Sequence, residues 1–391
     1  MAETRNARKK ERRRTTRESV ARRKSGRLIV TGLIAATVLL AGTVVLIGYN
    51  RQVSLRMGQI LVAVDPGFRA RHPALRAIHE SLIRQEAASL PDPEAPVLRF
   101  ADADALPRHQ PEADVVLGPT GQAVAWDPLV LATDQRRLQL PERLTLEQLA
   151  AALGGIGVDN TDDGRVQQGS LVVAGDDPVV FAALIMYLSG EILGDNALRD
   201  LHRHLAQPSE AGEGSQLDWL DRLSPVLERL SAWRSSGILA ENWTNVDAAS
   251  LRNLLRQQRV NPRYAAFLMP RSRLSGLSFE ERFHLRVVAL PPSETSRSVR
   301  AIGSVAGVSP AAGPRNDAVG LLVEHWHAGP VQERIERDTP WTPVVLEGAP
   351  LNREHRDMVR AYRIAGVRVN LTTVGTDHPL LSGMRRELQE P

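Results

Sequence analysis

Residues Leu28 to Ile47 read LIVTGLIAATVLLAGTVVLI, twenty positions without a charge, and this run constrains the chain more than any other feature. A helix of that length rises about 30 Å, the thickness of a bilayer's hydrocarbon core. A cleaved signal peptide would carry a shorter apolar stretch of roughly 7–15 residues ahead of a small-x-small site. The sequence behind the run, Gly48-Tyr49-Asn50-Arg51, offers no such site. Residues 28–48 therefore read as an uncleaved transmembrane signal anchor, with Tyr49 as an interfacial aromatic.

The segment ahead of it sets the orientation. Residues 1–27 hold twelve Lys or Arg against three acids, a net of +9, so the remaining 364 residues carry −5 of the chain's overall +4. Cations resist translocation and favour anionic lipid, by about 1 kcal/mol each near the surface. The arm is expected to be cytoplasmic and, having almost no apolar residues, disordered; residues 51–391 are then extracytoplasmic. Because the basic excess belongs to the arm alone, the mildly acidic body is not expected to bind nucleic acid.

Composition narrows the chemistry further. With no cysteine in the chain, disulfides, thiolate metal sites, a cysteine nucleophile and a lipid-modified cysteine anchor are excluded. The 42 % hydrophobic content over 391 residues suffices for one large domain or two lobes.

In the body, short apolar runs alternate with capped amphipathic segments, the pattern of an α/β fold. Strands are expected at 59–64, 97–100, 114–117, 171–175, 265–269 and 285–290. Helices are expected at about 73–88, 247–258, 316–327, 330–337 and 352–364. Ala123–Thr133 is extended and apolar, and Pro128 inside it argues for an edge or bend rather than a central continuous strand. Thr145 and Gln148 form a capping box with Gly154 at the helix stop. Asp177 caps a helix that starts with Pro178 and is apolar on nearly every face, hence buried. Residues 207–216 read as a loop, followed by a helix pair split at Pro225.

Several of these pieces, in order, resemble the sugar-type extracellular solute-binding proteins of bacterial ABC importers. Glu112-Ala113-Asp114-Val115-Val116 is similar to their "pDvv" strand end, and Ala123 to Thr133 to the extended crossing that carries an aromatic, here Trp126, to the ligand cleft. Leu140 to Leu149 resembles the "P-x-T-x-x-E-L" helix start and Leu230 to Leu239 the "W-x-x-x-G-x-L" helix end. Ala265 to Arg271 resembles the "aM" strand, Val287 to Pro292 the "PlP" crossing, Ser309 to Thr339 the helices that follow, and Trp341-Thr342-Pro343 the "g-x-x-P" turn.

The resemblance covers residues 110–346 and implies a two-lobed, periplasmic-binding-protein-like fold, with one lobe of about 51–122 and 292–328 and the other of about 126–290 and 330–391. It further implies a small polar solute, such as a sugar, delivered to an ABC permease. Two departures stand out. Val116 and Trp126 are ten residues apart where the family has several dozen, which shortens the first lobe, and the anchor is a helix rather than a lipidated cysteine. The shortened lobe keeps a rival open: a structural or interaction protein that retains the fold with a degenerate cleft.

Sugar sites stack aromatic faces on the ring and surround its hydroxyls with polar groups. By that measure Trp126, Trp341 and Trp243 are the ligand candidates, joined by Arg271 and Arg273, whose guanidinium forks suit carboxylates or paired hydroxyls. Trp219, Trp233 and Trp326 are expected in the core. No enzyme, cofactor or metal is expected. Glu324, His325 and His327 point to different sides of a helix, as do His202 and His204, and the pairs Asp162-Asp163 and Asp176-Asp177 fall at loops or caps. The sequence holds no Walker, G-x-S-x-G or dinucleotide motif.

Overall fold

The computed structural model describes residues 59–64, 97–102, 115–118 and 121–389, except for 142–143, 157–169, 208–212, 241, 295–297, 311–319, 321–322, 324–325, 328, 340, 345–352 and 376. Apart from Gln59 and Val97, all of these belong to one compact unit. The anchor 28–48, the arm, the expected helix at 73–88, Asp114, Asp162-Asp163 and Glu324-His325 lie outside the described residues, as does most of the expected helix at 316–327. Among the described residues, no helix is long and apolar enough to cross a membrane.

The architecture is mixed α/β, and one strand organises it. β1 (Gln59–Val64) runs parallel to β3 (Val115–Gly118), with β2 (Val97–Asp102) at the edge, and β4 (Gln122–Asp134) follows. The first half of β4, through Pro128, pairs antiparallel with β8 (Arg300–Pro310), which also pairs with β3 and, in parallel, with β10 (Val367–Asn370). At Leu129 the strand changes partners. From there to Asp134 it lies between β6 (Ala266–Pro270) and β7 (Leu285–Ala289), and β5 (Leu171–Val173) extends that second sheet beside β6. The two-residue β9 (Thr342–Pro343) pairs with β4 at Ala125 and Trp126.

β4 is thus a continuous central strand, contrary to the edge or bend expected from Pro128. Proline cannot donate to a ladder, and here it falls at the changeover between sheets, the one place along the strand where its missing N–H is least costly. Eleven of its thirteen residues, from Val124 on, are buried. The partner strand β8 was not apparent from the sequence because its Gly and Ser content dilutes the apolar signal. Gly303 shows why small residues are needed there: a Cβ would meet the Asp127 carbonyl oxygen at 2.3 Å.

Helices cover this frame. α1 (Leu146–Gly155) begins with the expected Thr145/Gln148 capping box. α2 (Pro178–Leu193), capped by Asp177, buries twelve residues from Val180 to Glu191 and supplies the centre of the core. α3 (Asp195–Ala206) follows at Gly194, whose φ of 92° is cheap only for glycine. α4 (Glu213–Ser235) is a single helix with Pro225 inside it, not the pair expected. Proline in a helix interior costs about 3 kcal/mol, and the fully buried Leu223, Val226 and Leu230 that flank it supply apolar burial of comparable size. α5 (Ala248–Gln258), the four-residue α6 (Phe279–Arg282), α7 (Gly329–Asp338), α8 (Arg353–Ile364) and α9 (Pro379–Gln389) follow.

Candidate functional site

The point where β4 changes sheets is also where polar groups gather. Asp127 is the residue before Pro128 and is buried, yet its carboxylate is met by the turn that follows β6: Ser272 donates its backbone N–H at 2.8 Å and its hydroxyl at 2.6 Å. Burial pushes the Asp127 carboxyl up to about 6, against the opposing pull of the two Ser272 hydrogen bonds and of the Arg271 and Arg273 charges. Ser272 belongs to a 3₁₀ turn, Arg271–Gly276, that leaves β6 directly.

The flanking arginines of that turn reach in different directions. Arg271 Nε donates to Glu354 Oε1 of α8 at 2.7 Å, and Arg273 Nη2 pairs at 2.9 Å with Asp177, the cap of α2. Three consecutive residues therefore fasten β4, α8 and α2 to one turn. Both guanidinium groups named by the sequence are engaged in ion pairs, Arg271 with its side chain 11 % exposed and Arg273 with 37 %.

Arg271 opens onto a groove of about 840 Å³. It is lined by Leu274, Ser275, Leu285 and Val287, by Glu333, Glu336 and Arg337 of α7, and by Thr339 and Glu354. At the groove also stand Phe279 and Phe283, 73 % and 74 % exposed, with ring centroids 5.8 Å apart. They are four apart in sequence and so share a helix face, and the Ser278/Glu281 capping box fixes the short helix that presents them. Aromatic faces beside carboxylates and guanidiniums are what recognition of a polyhydroxylated ring calls for. The sequence carried a signal for this pair: a capping box followed by two phenylalanines in a charged setting.

The three candidate tryptophans are buried. Trp126 is 3 % exposed, its ring 4.7 Å from that of Tyr362 and tilted by 50°, and its buried indole N–H has no hydrogen-bond partner. Trp341 is buried next to β9, its backbone N–H donating to Thr339 Oγ1 at 3.1 Å. Trp243 stacks on Phe181 of α2, centroids 6.0 Å apart, against Gly175. In this conformation none of the three presents a face to the groove. Trp233 and Trp326 are in the core as expected, whereas Trp219 is half-buried. Among the described residues no group of His, Asp and Glu is arranged to hold a metal.

The sequence matches no protein-family model and no curated protein. Solved structures do match in fold. The bacterial solute receptor AcbH, with a reported exclusive preference for β-D-galactopyranose, superposes with a TM-score of 0.57 at 11 % identity, covering 85 % of this chain and 96 % of that one. The probable secreted solute-binding lipoprotein of Streptomyces coelicolor gives 0.53 at 14 % identity, covering 85 % of this chain and 94 % of that one. The chain therefore has the fold of bacterial solute-binding receptors.

Proposed function

We propose that this chain is an extracytoplasmic solute-binding protein, held at the membrane by residues 28–48, that takes a carbohydrate or similar polar solute and delivers it to an ABC permease. The observation that carries the reading is the groove: two exposed phenylalanines beside Arg271, Glu333 and Glu354, on a fold shared with solute receptors, one of them a galactopyranose binder. Lobes of about 51–122 with 292–328 and 126–290 with 330–391 would move about the β4 changeover, and hinge closure of this kind couples ligand contact to a change of shape. The basic arm 1–27 would lie on anionic lipid at the cytoplasmic face. The burial of Trp126, Trp243 and Trp341 favours a second reading, a scaffold that keeps the fold without the ligand.

A ligand-dependent thermal shift separates the two. With the full chain in detergent and a panel of sugars, polyols, amino acids and peptides, a bound solute at a hundredfold excess over Kd should add about 2.7 kcal/mol of stability. Phe279→Ala with Phe283→Ala should abolish that shift while leaving the ligand-free melting point nearly unchanged, since both rings are exposed. No shift with any solute supports the scaffold.

Orientation has its own test. A C-terminal reporter that is active only outside the cytoplasm should be active, with the N-terminus inaccessible to protease added to intact cells. Recovery from those cells of a soluble form beginning near residue 50 would overturn the anchored topology.

A further inference from the structure

Away from the groove, two histidines meet where α3 ends and α9 begins. His204, in the last turn of α3, stacks on Trp219 of α4 with centroids 5.1 Å apart and an interplanar angle of 20°. His378 meets the His204 ring edge-on at 4.8 Å. His378 immediately precedes α9, which opens with Pro379, and its Nδ1 accepts the Leu380 backbone N–H at 3.3 Å. A histidine in that role must leave Nδ1 unprotonated, with its proton on Nε2. His204 Nε2 is itself buried without a hydrogen-bond partner.

We propose that the His204–His378 contact is an acid-sensitive latch that holds the C-terminal helix α9 on the body at neutral pH and releases it when the pair takes up a proton. Protonation of His378 turns its capping acceptor into a donor and sets a positive charge on the N-terminus of α9, the end where the helix dipole is already positive. On His204 a proton would be favoured by the C-terminal end of α3, but it would be buried against the His378 ring with no carboxylate to receive it.

The surrounding charges do not offset this. Arg222 of α4 lies 4.2 Å over the Trp219 ring, adding a cation to the same stack. Asp200 and Arg203 of α3 pair with each other at 3.2 Å, and Arg385 of α9 pairs with Asp176 at 3.7 Å. His202 is bonded to the Asn370 carbonyl and to Thr373 Oγ1, and Asp377, next to His378, is exposed. Among the described residues no acid is in ion-pair contact with either ring.

Burial lowers the basicity of both histidines, and for His378 the neighbouring His204 lowers it further. The sign follows. The released state binds protons more readily than the latched one, so latching is complete above the ordinary histidine value of about 6.5 and weakens as pH falls through it. What is at stake is the docking of Leu380, Leu381, Met384 and Leu388, all buried on α9, and the Gly375 N–H bond to the Leu205 carbonyl at 2.8 Å.

Hydrogen exchange on the full chain in detergent, corrected for the intrinsic pH dependence of exchange, reads the latch directly. Between pH 7.5 and pH 5.0, protection of amides 380–389 should fall about tenfold while that of β4 is retained. His378→Asn, and separately His378→Ser, keep a capping oxygen that has no proton to gain, and both should hold α9 protected at pH 5.0. Unchanged protection of α9 in the parent chain, loss of β4 protection together with α9, or pH sensitivity persisting in both variants would each overturn the latch.

Discussion

Replacing Trp126 by alanine is expected to lower the unfolding free energy of the ligand-free protein by about 3–5 kcal/mol. The ring is 3 % exposed, sits where β4 is flanked by β8 on one side and β9 on the other, and packs on Tyr362 of α8. Deleting it removes a large buried apolar area and leaves a cavity lined by sheet and helix that cannot close without shifting α8, which also carries the Glu354 partner of Arg271. Urea unfolding of the full chain without solute measures the loss. A ring that served as a ligand platform would behave in the opposite way, being exposed in the open form, so that the variant would lose binding and keep its stability. A midpoint within experimental error of the parent would therefore return Trp126 to the ligand surface and remove it from the core.

That expectation rests on a property of the whole sequence. Six tryptophans, six phenylalanines and four tyrosines are all the aromatics in 391 residues, and among the described residues most of these rings lie in the core, where each buries the most apolar area. A search for sugar-stacking residues that begins from tryptophan then meets core positions first. Among the described residues the exposed rings are Phe279 of α6 and Phe283 just after it, and these lack the polar handle that draws attention to tryptophan.

Elements whose ends are chemically marked were legible. The Thr145/Gln148 box and Asp177 with Pro178 each stand where the sequence put them, and the helix expected at 247–258 follows Asp247, which accepts from the Ser250 N–H. The long apolar run of β4 was legible as extended chain, but not its position at the centre of the sheets, because a strand's neighbours are set by register rather than by its own residues. β8 was hidden by the same requirement that makes it work: Gly303 and its small neighbours allow the backbone of β4 to come close. The fork of Arg271, Ser272 and Arg273 could be seen as charge at a strand end, yet its three partners lie 83, 145 and 96 residues away in sequence, and no local pattern names them.

The second large effect is expected at Arg300, which opens β8. Its guanidinium is buried between Glu191 near the end of α2 and Asp195 in the first turn of α3, with Nε donating to Asp195 at 2.8 Å and Nη1 to Glu191. Glu191 also accepts the Ser293 N–H at 2.6 Å, and Gly190 has no side chain to obstruct the arginine, whose Cδ would lie 2.7 Å from a Cβ there. Arg300→Met removes the cation and leaves Glu191, its side chain 2 % exposed, as an unpaired buried charge, which should cost about 3–5 kcal/mol. Asp195, 28 % exposed, can turn to water and adds little. The origin of the loss is separable from the worth of the pair itself. If the cost is the stranded carboxylate, Arg300→Met with Glu191→Gln should regain most of the stability in urea, since the neutral amide strands no charge and its oxygen can still accept the Ser293 N–H. If instead the arginine acts as a strut between β8 and α2, the double variant should stay as unstable as the single one. A single variant that loses less than about 1 kcal/mol would mean that water reaches Glu191, and that β8 is held to α2 by apolar packing alone.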